Sequence, residues 1–270
     1  MSRITFLKMS GSGNDFIVVD NRRGKVAPAD GAALAKTLCA RRVSVGADGL
    51  ILIQDSNRAD FAWRFYNADG SEAAMCGNGG RCAARFAFLK GIAGEKMSFE
   101  TGAGLIRAEI REESVKLQLP EPYGYRDRVG LKTGRENIDA AFLIVGVPHA
   151  VVAVENLAKA AVGKIGRAVR LHKEFAPEGT NVNFFSIDGP RSLSIRTYER
   201  GVEGETLACG TGSVATALTA AAAGLIRGPV KVATRGGEVL TVHFRRRGSA
   251  FRDVYLEGAA SIVYEGKVEA

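Results

Sequence analysis

The chain has 270 residues, 46% of them hydrophobic and 24% charged, which supports a folded core of two domains and excludes a disordered or fibrous chain. Its formal net charge of +8 is spread along the sequence, and the densest run, Arg245 to Arg247, has no aromatic residues among it, so a nucleic-acid partner is not expected. The charge instead favours anionic small molecules.

From the start, "RITFLKM", "DFIVVDN", "GLILIQ" and "FAWRFYN" read as strands, being β-branched or aromatic and bounded by turn residues. "GGRCAARFAFLKG" then reads as a helix stopped at Gly91. "MSFET", "GLIRAEI" and "VKLQL" continue as strands. The most apolar stretch, "AAFLIVGVPHAVVAV", is broken by Gly146, Pro148 and His149 and is no membrane span. The opening "MSRITFLKMS" has no apolar run of signal-peptide length, so a cytoplasmic protein is expected. Later, "TGSVATALTAAAAG" reads as a second helix, stopped at Gly224. Both helices are apolar on nearly every face and are expected to be buried.

The chain reads as written twice. Cys209 follows Cys76 by 133 residues, and the same offset pairs Thr101 with Thr234 and Gly104 with Gly237. "FAWRFYNADGSEAAMC" resembles "LSIRTYERGVEGETLAC", and "GNDFIVVD" resembles "VPHAVVAVE". Four segments recurring in one order imply a duplication. The expected fold is α+β, with two pseudo-symmetric domains, each a curved sheet or barrel wrapped around one central helix. The first domain is read as 1–119 and the second as 120–258, with the closing segment 259–270 returning to the first.

Four cysteines with no CxxC pair suit neither a disulfide scaffold nor zinc spacing. Cys39 and Cys82 read as buried small hydrophobes. Cys76 and Cys209 differ, each opening a CGxG turn at the mouth of a buried helix. Unpaired N–H groups and the helix dipole there favour negative charge, which lowers a thiol pKa and cradles a carboxylate. Two such thiols, brought to opposite sides of one ligand, can remove a proton from carbon and return one to the other face. A racemase or epimerase needs such near-mirror parts. Mild oxidation is then expected to join Cys76 to Cys209. Nothing points to a cofactor or metal: there is no GxGxxG at a strand–helix junction, no P-loop and no ligand cluster, and the thiols supply both proton transfers without pyridoxal phosphate.

"KMSGSGNDFIVVDNR", "RRVSVGADGLILI", "FYNADGSEAAMCGNGGRC", "EGTNVNF" and "YERGVEGETLACGTG" together resemble the diaminopimelate epimerase family over nearly the whole chain. The resemblance implies an isomerase that interconverts LL- and meso-2,6-diaminopimelate without a cofactor, for lysine and cell-wall precursor synthesis. It implies that Cys76 and Cys209 are the catalytic pair. It places the substrate α-carboxylate on the N–H groups of Gly77, Asn78, Gly210 and Thr211. Asn14, Asn67, Asn181, Glu199 and Arg200 would surround the rest, with Arg200 on the distal carboxylate and Glu199 facing an ammonium. His149 and Glu199 would tune the pair. One departure stands out: the family generally carries Asn at the position of Val147, where valine neither donates nor accepts. The partner expected is a small molecule, with no nucleic acid, no membrane and a homodimer left open. The rival readings are a two-thiol racemase for proline or hydroxyproline, a single-thiol hydrolase, and a non-catalytic anion or nucleic-acid binder.

Overall fold

A computed structural model describes residues 3–133, 136–248 and 250–269. The elements run β1 (Arg3–Gly11), β2 (Asn14–Asp20), α1 (Gly31–Cys39), β3 (Gly49–Gln54), β4 (Phe61–Asn67) and α2 (Gly77–Leu89). Next come β5 (Lys96–Thr101), β6 (Gly104–Arg111), β7 (Ser114–Gln118), β8 (Tyr123–Thr133), β9 (Glu136–Val145), β10 (Val147–Ala153) and α3 (Val162–Arg170). The chain closes with β11 (Asn181–Gly189), β12 (Ser192–Glu199), β13 (Gly204–Thr206), α4 (Gly210–Ala222), β14 (Val230–Ala233), β15 (Val239–Arg247), β16 (Ala250–Ala259) and β17 (Ser261–Glu269). Every strand and both buried helices read from the sequence are present, in an α+β chain made mostly of strands. No helix among the described residues is long and apolar enough to cross a membrane.

The backbone divides into two compact units, one holding the residues up to Gln118 with those from Gly258 on, the other Leu119–Glu257. In the first, β17 pairs antiparallel with β1 and β1 with β2, then β2 runs parallel to β3. The order continues β3–β4 antiparallel, β4–β5 parallel, β5–β6 and β6–β7 antiparallel. The second unit repeats that pattern as β8–β9, β9–β10, β10–β11, β11–β12, β12–β14 and β14–β15–β16, with the parallel pairs in the same places. The short β13 adds to β12 as an extra antiparallel piece.

The central strands are continuous apolar runs because both faces are covered. In β2 and β3, Phe16, Val18, Ile51 and Ile53 turn inward to α2, joined by Phe65 of β4. The alternating Ile17, Val19, Leu50 and Leu52 turn outward to α1, meeting Ala35, Leu38 and Cys39. The second unit packs Val151, Phe185 and Ile195 against α4 on one face, and Val152, Val182 and Phe184 against α3 on the other. The inner helix is therefore enclosed by its sheet: α2 touches β1, β2, β3, β6 and β7, and α4 touches strands from β8 to β15. Small side chains permit this enclosure, with Cys82, Ala83, Ala84 and Ala87 all at 0% exposure.

Candidate active site

Cys76 is the N-cap of α2, extended at φ −144° and ψ 119°, and its Sγ accepts a hydrogen bond from the Gly79 N–H at 3.4 Å. A chain of side chains crosses from the helix to β2. Arg81 Nη2 donates to Asn78 Oδ1 at 2.9 Å, Asn78 Nδ2 to Asn14 Oδ1 at 2.8 Å, and Asn14 Nδ2 to Asp48 Oδ2 at 2.8 Å. Arg41 then bridges Asp48 and Asp15. Arg81 is wholly buried and also donates to Ser12 Oγ and the Ala259 carbonyl. Guanidinium can only donate and carboxylate can only accept, so these ends fix which way both amides point. Each amide nitrogen keeps a second N–H beyond those bonds. Asn67, at the end of β4, bonds instead to the Ser71 hydroxyl at 3.0 Å.

Cys209 is the N-cap of α4, at φ −129° and ψ 110°, and is buried. Its sulfur lies 3.7 Å from Thr211 Oγ1. Beneath this turn, β10, β11 and β12 bring His149 opposite Asn181 and Asn183 opposite Thr197. Asn181 Oδ1 accepts from the Arg200 backbone N–H at 2.8 Å, and its Nδ2 lies 3.4 Å from the Pro148 carbonyl. The Arg200 guanidinium rests on the Glu178 carbonyl at 3.2 Å. Glu199 and Arg200 are half-buried, as are Gly77, Gly210 and Thr211.

The electrostatics correct one expectation. The helix mouths were expected to lower both thiol pKa values, yet burial pushes the Cys76 thiol up, and the N–H groups of Gly79 and Asn78 and the Arg81 charge only offset it. Burial pushes the Cys209 thiol up as well, to about 12; the Glu199 carboxylate adds to the rise, against the amides of Gly212 and Thr211. Loss of hydration outweighs the helix in both cases. Burial also raises Glu199, partly countered by the Thr206 hydroxyl. Burial, with the Arg200 charge, pushes His149 down to about 3, so its imidazole is neutral at pH 7.

In the first unit, Cys76, Gly77, Asn78 and Asn14 thus form one cluster, while Asn67 is bonded elsewhere. The second unit gathers Cys209, Gly210, Thr211, His149, Asn181, Glu199 and Arg200 around one helix end. Val147 is half-buried and opens β10 opposite Val145. Sequence reasoning passed over Asp48, Arg81, Asn183 and Thr197. All four lie inside quoted segments, where spacing alone separates no ligand-facing residue from one that orients it.

The diaminopimelate epimerase family model matches residues 6–122 and 142–263. The chain is 46% identical to the diaminopimelate epimerase of Aquifex aeolicus over 97% of each chain. It is 47% identical to that of Chlorobaculum tepidum, over 96% of this chain and 99% of the relative. Among solved structures, a PhzF-family phenazine biosynthesis protein of Bacillus anthracis aligns with a TM-score of 0.76 at 16% identity over the whole of both chains. A hydroxyproline epimerase of Agrobacterium vitis aligns at 0.68 and 17% identity, over 98% of this chain and 92% of the other. These structural likenesses show a shared fold. With two thiol-capped helices in matching units and a family match over both, the chain belongs to the diaminopimelate epimerase family.

Proposed function

We propose that this protein is a diaminopimelate epimerase, interconverting LL- and meso-2,6-diaminopimelate by two-thiol proton transfer for lysine and cell-wall precursor synthesis. One observation carries the reading: Cys76 and Cys209 are N-caps of two thirteen-residue buried helices, Gly77–Leu89 and Gly210–Ala222, at the same place in two matching units. One cysteine, as thiolate, takes the α-proton. The electron pair left on carbon delocalises into the α-carboxylate, which sits on the N–H groups of Gly77, Asn78, Gly210 and Thr211. The other cysteine, as thiol, returns a proton to the opposite face, and the two sulfurs exchange ionisation states with each turnover.

Asn14, Asn67, Asn181, Glu199 and Arg200 bind the remainder of the substrate. The spare N–H groups of Asn14 and Asn78 suit a carboxylate, and the Arg200 guanidinium suits the distal one. His149 and Glu199 set the protonation of the pair, His149 as a neutral dipole and Glu199 by its charge.

The test is proton NMR of LL-diaminopimelate with the protein in D2O, beside proline. Deuterium entering the α-position as the meso isomer appears is the expected result. Exchange with proline alone would move the assignment to the racemase branch of the fold. Cys76→Ala and Cys209→Ala should each abolish racemising exchange; retention by either overturns the two-thiol mechanism.

A further inference from the structure

The two thiols stand on different floors. In the first unit, Phe16 lies opposite Gly49 and Ile51 opposite Phe65, so the layer under α2 at Cys76 is apolar. The matching positions of the second unit hold His149, Asn183 and Thr197, each at or near zero exposure. Burying three polar side chains where the twin unit buries hydrocarbon costs stability unless every group is bonded. The bonds centre on Asn183. Its Nδ2 reaches the Ala150 carbonyl at 3.2 Å and His149 Nδ1 at 3.2 Å, and its Oδ1 accepts from the Thr197 hydroxyl at 3.0 Å.

The Ala150 carbonyl only accepts, so the amide nitrogen must face it and therefore faces His149. The neutral His149 ring must then accept at Nδ1 and carry its proton on Nε2. That Nε2 is buried and has no hydrogen-bond partner among the described residues. Asn183 Oδ1 meanwhile presses on the first turn of α4. A Cβ built on Gly212 would stand 2.3 Å from this oxygen and 3.2 Å from Cys209 Sγ.

We propose that Asn183 is a positioning residue for proton transfer at Cys209: it locks His149 as the Nε2–H tautomer and buttresses the helix turn that carries the thiol. The inference rests on the epimerase reading, but its first test does not need activity. The sequence has three histidines, so nitrogen-15 NMR resolves each ring. His149 in the wild-type protein should show a protonated Nε2 and a bare Nδ1 at pH 7; a protonated Nδ1 overturns the lock.

Asn183→Asp then keeps the shape but removes the donor. His149 should acquire a proton at Nδ1, and kcat should fall by tenfold or more with KM for diaminopimelate changed much less, because Asn183 is buried and its side-chain bonds go to His149, Ala150 and Thr197. An Asn183→Asp protein that is folded, keeps the Nε2–H tautomer and keeps kcat within twofold of wild type overturns the proposal. Wild-type protein that exchanges no diaminopimelate would sink the activity reading alone, leaving the tautomer result to stand or fall separately.

Discussion

Asn14 and Asn78 get their polarity from the charged ends of one hydrogen-bond chain, Arg81 on one side and Asp48 on the other. Asn14→Asp would keep the shape, lose the donor and set a second carboxylate against Asp48. A loss of about ten- to a hundredfold in kcat/KM is expected, the worth of one or two charge-assisted hydrogen bonds. Asp48→Asn still offers an acceptor oxygen to Asn14, and should stay within about threefold. Steady-state kinetics on both variants checks the contrast; equal losses would refute a polarity role. Glu199 gives a second test at this scale. Its carboxylate raises the Cys209 thiol, so Glu199→Gln should lower that pKa while impairing activity. Iodoacetamide should then alkylate Cys209 faster in the variant at a given pH near 9, and a slower rate would contradict the assignment. The motifs made these residues legible as a group. Their division into binding and orienting side chains was not legible, because Asp48 and Arg81 act through amides reached only after folding.

At the scale of elements, the two inner helices were readable because their start, apolar length and stop are all local. Gly91 and Gly224 sit at positive φ, 65° and 75°, just past the ends. The Ile92 and Leu225 N–H groups reach back five residues to Ala87 and Ala220, closing both helices alike. The outer helices α1 and α3 went unread. Each has nine residues, and neither Asp30 nor Ala161 makes a side-chain cap bond, so tertiary packing on the sheet defines them rather than local signals. The inner helices also supply a paired prediction. Gly79 and Gly212 hold the same position after each cysteine. A Cβ at Gly79 would meet Ile51 Cδ1 at 3.3 Å and Phe16 Cε1 at 3.5 Å, contacts that a small shift relieves. Alanine also favours the helix by about 0.5–1 kcal/mol, so Gly79→Ala should unfold within about 1 kcal/mol of wild type. At Gly212 the same Cβ overlaps Asn183. Gly212→Ala should lose about 1–3 kcal/mol by overpacking and most of its activity. Denaturant melts of the two variants, run side by side, decide the matter, and matching stabilities would mean that the polar floor under Cys209 yields as easily as the apolar one.

For the whole molecule, the duplication was visible in the sequence because glycines and cysteines mark turns at a constant offset, and strand pairing in the two units follows the same order. The substitution of a polar layer for an apolar one was hidden: Phe16 and His149 share the 133-residue offset, but Ile51 with Asn183 and Phe65 with Thr197 fall off it and align only once the strands are placed. The buried titratable groups make stability depend on pH from both sides. Burial pushes the thiols of Cys39, Cys82 and Cys209 up from 9.0, to about 11, about 12 and about 12. An unfolded chain releases those protons near pH 9 while the folded one keeps them, so the folded state binds more protons in that window. Their contribution is fully present below about pH 9 and is lost as pH climbs toward 11 to 12. His149 works at the other end: its pKa falls from 6.5 to about 3. The unfolded state then binds the extra proton, and stability present above pH 6.5 drains away as pH drops toward 3. Urea melts between pH 4 and 11 should trace a plateau from about 6.5 to 9 with a decline on each side. Cys82→Ala separates packing from titration. It leaves a small cavity and lowers the plateau by about 1 kcal/mol, yet its alkaline decline should be shallower because one buried thiol is gone. An alkaline slope as steep as wild type would show that Cys82 does not hold its proton in the folded state.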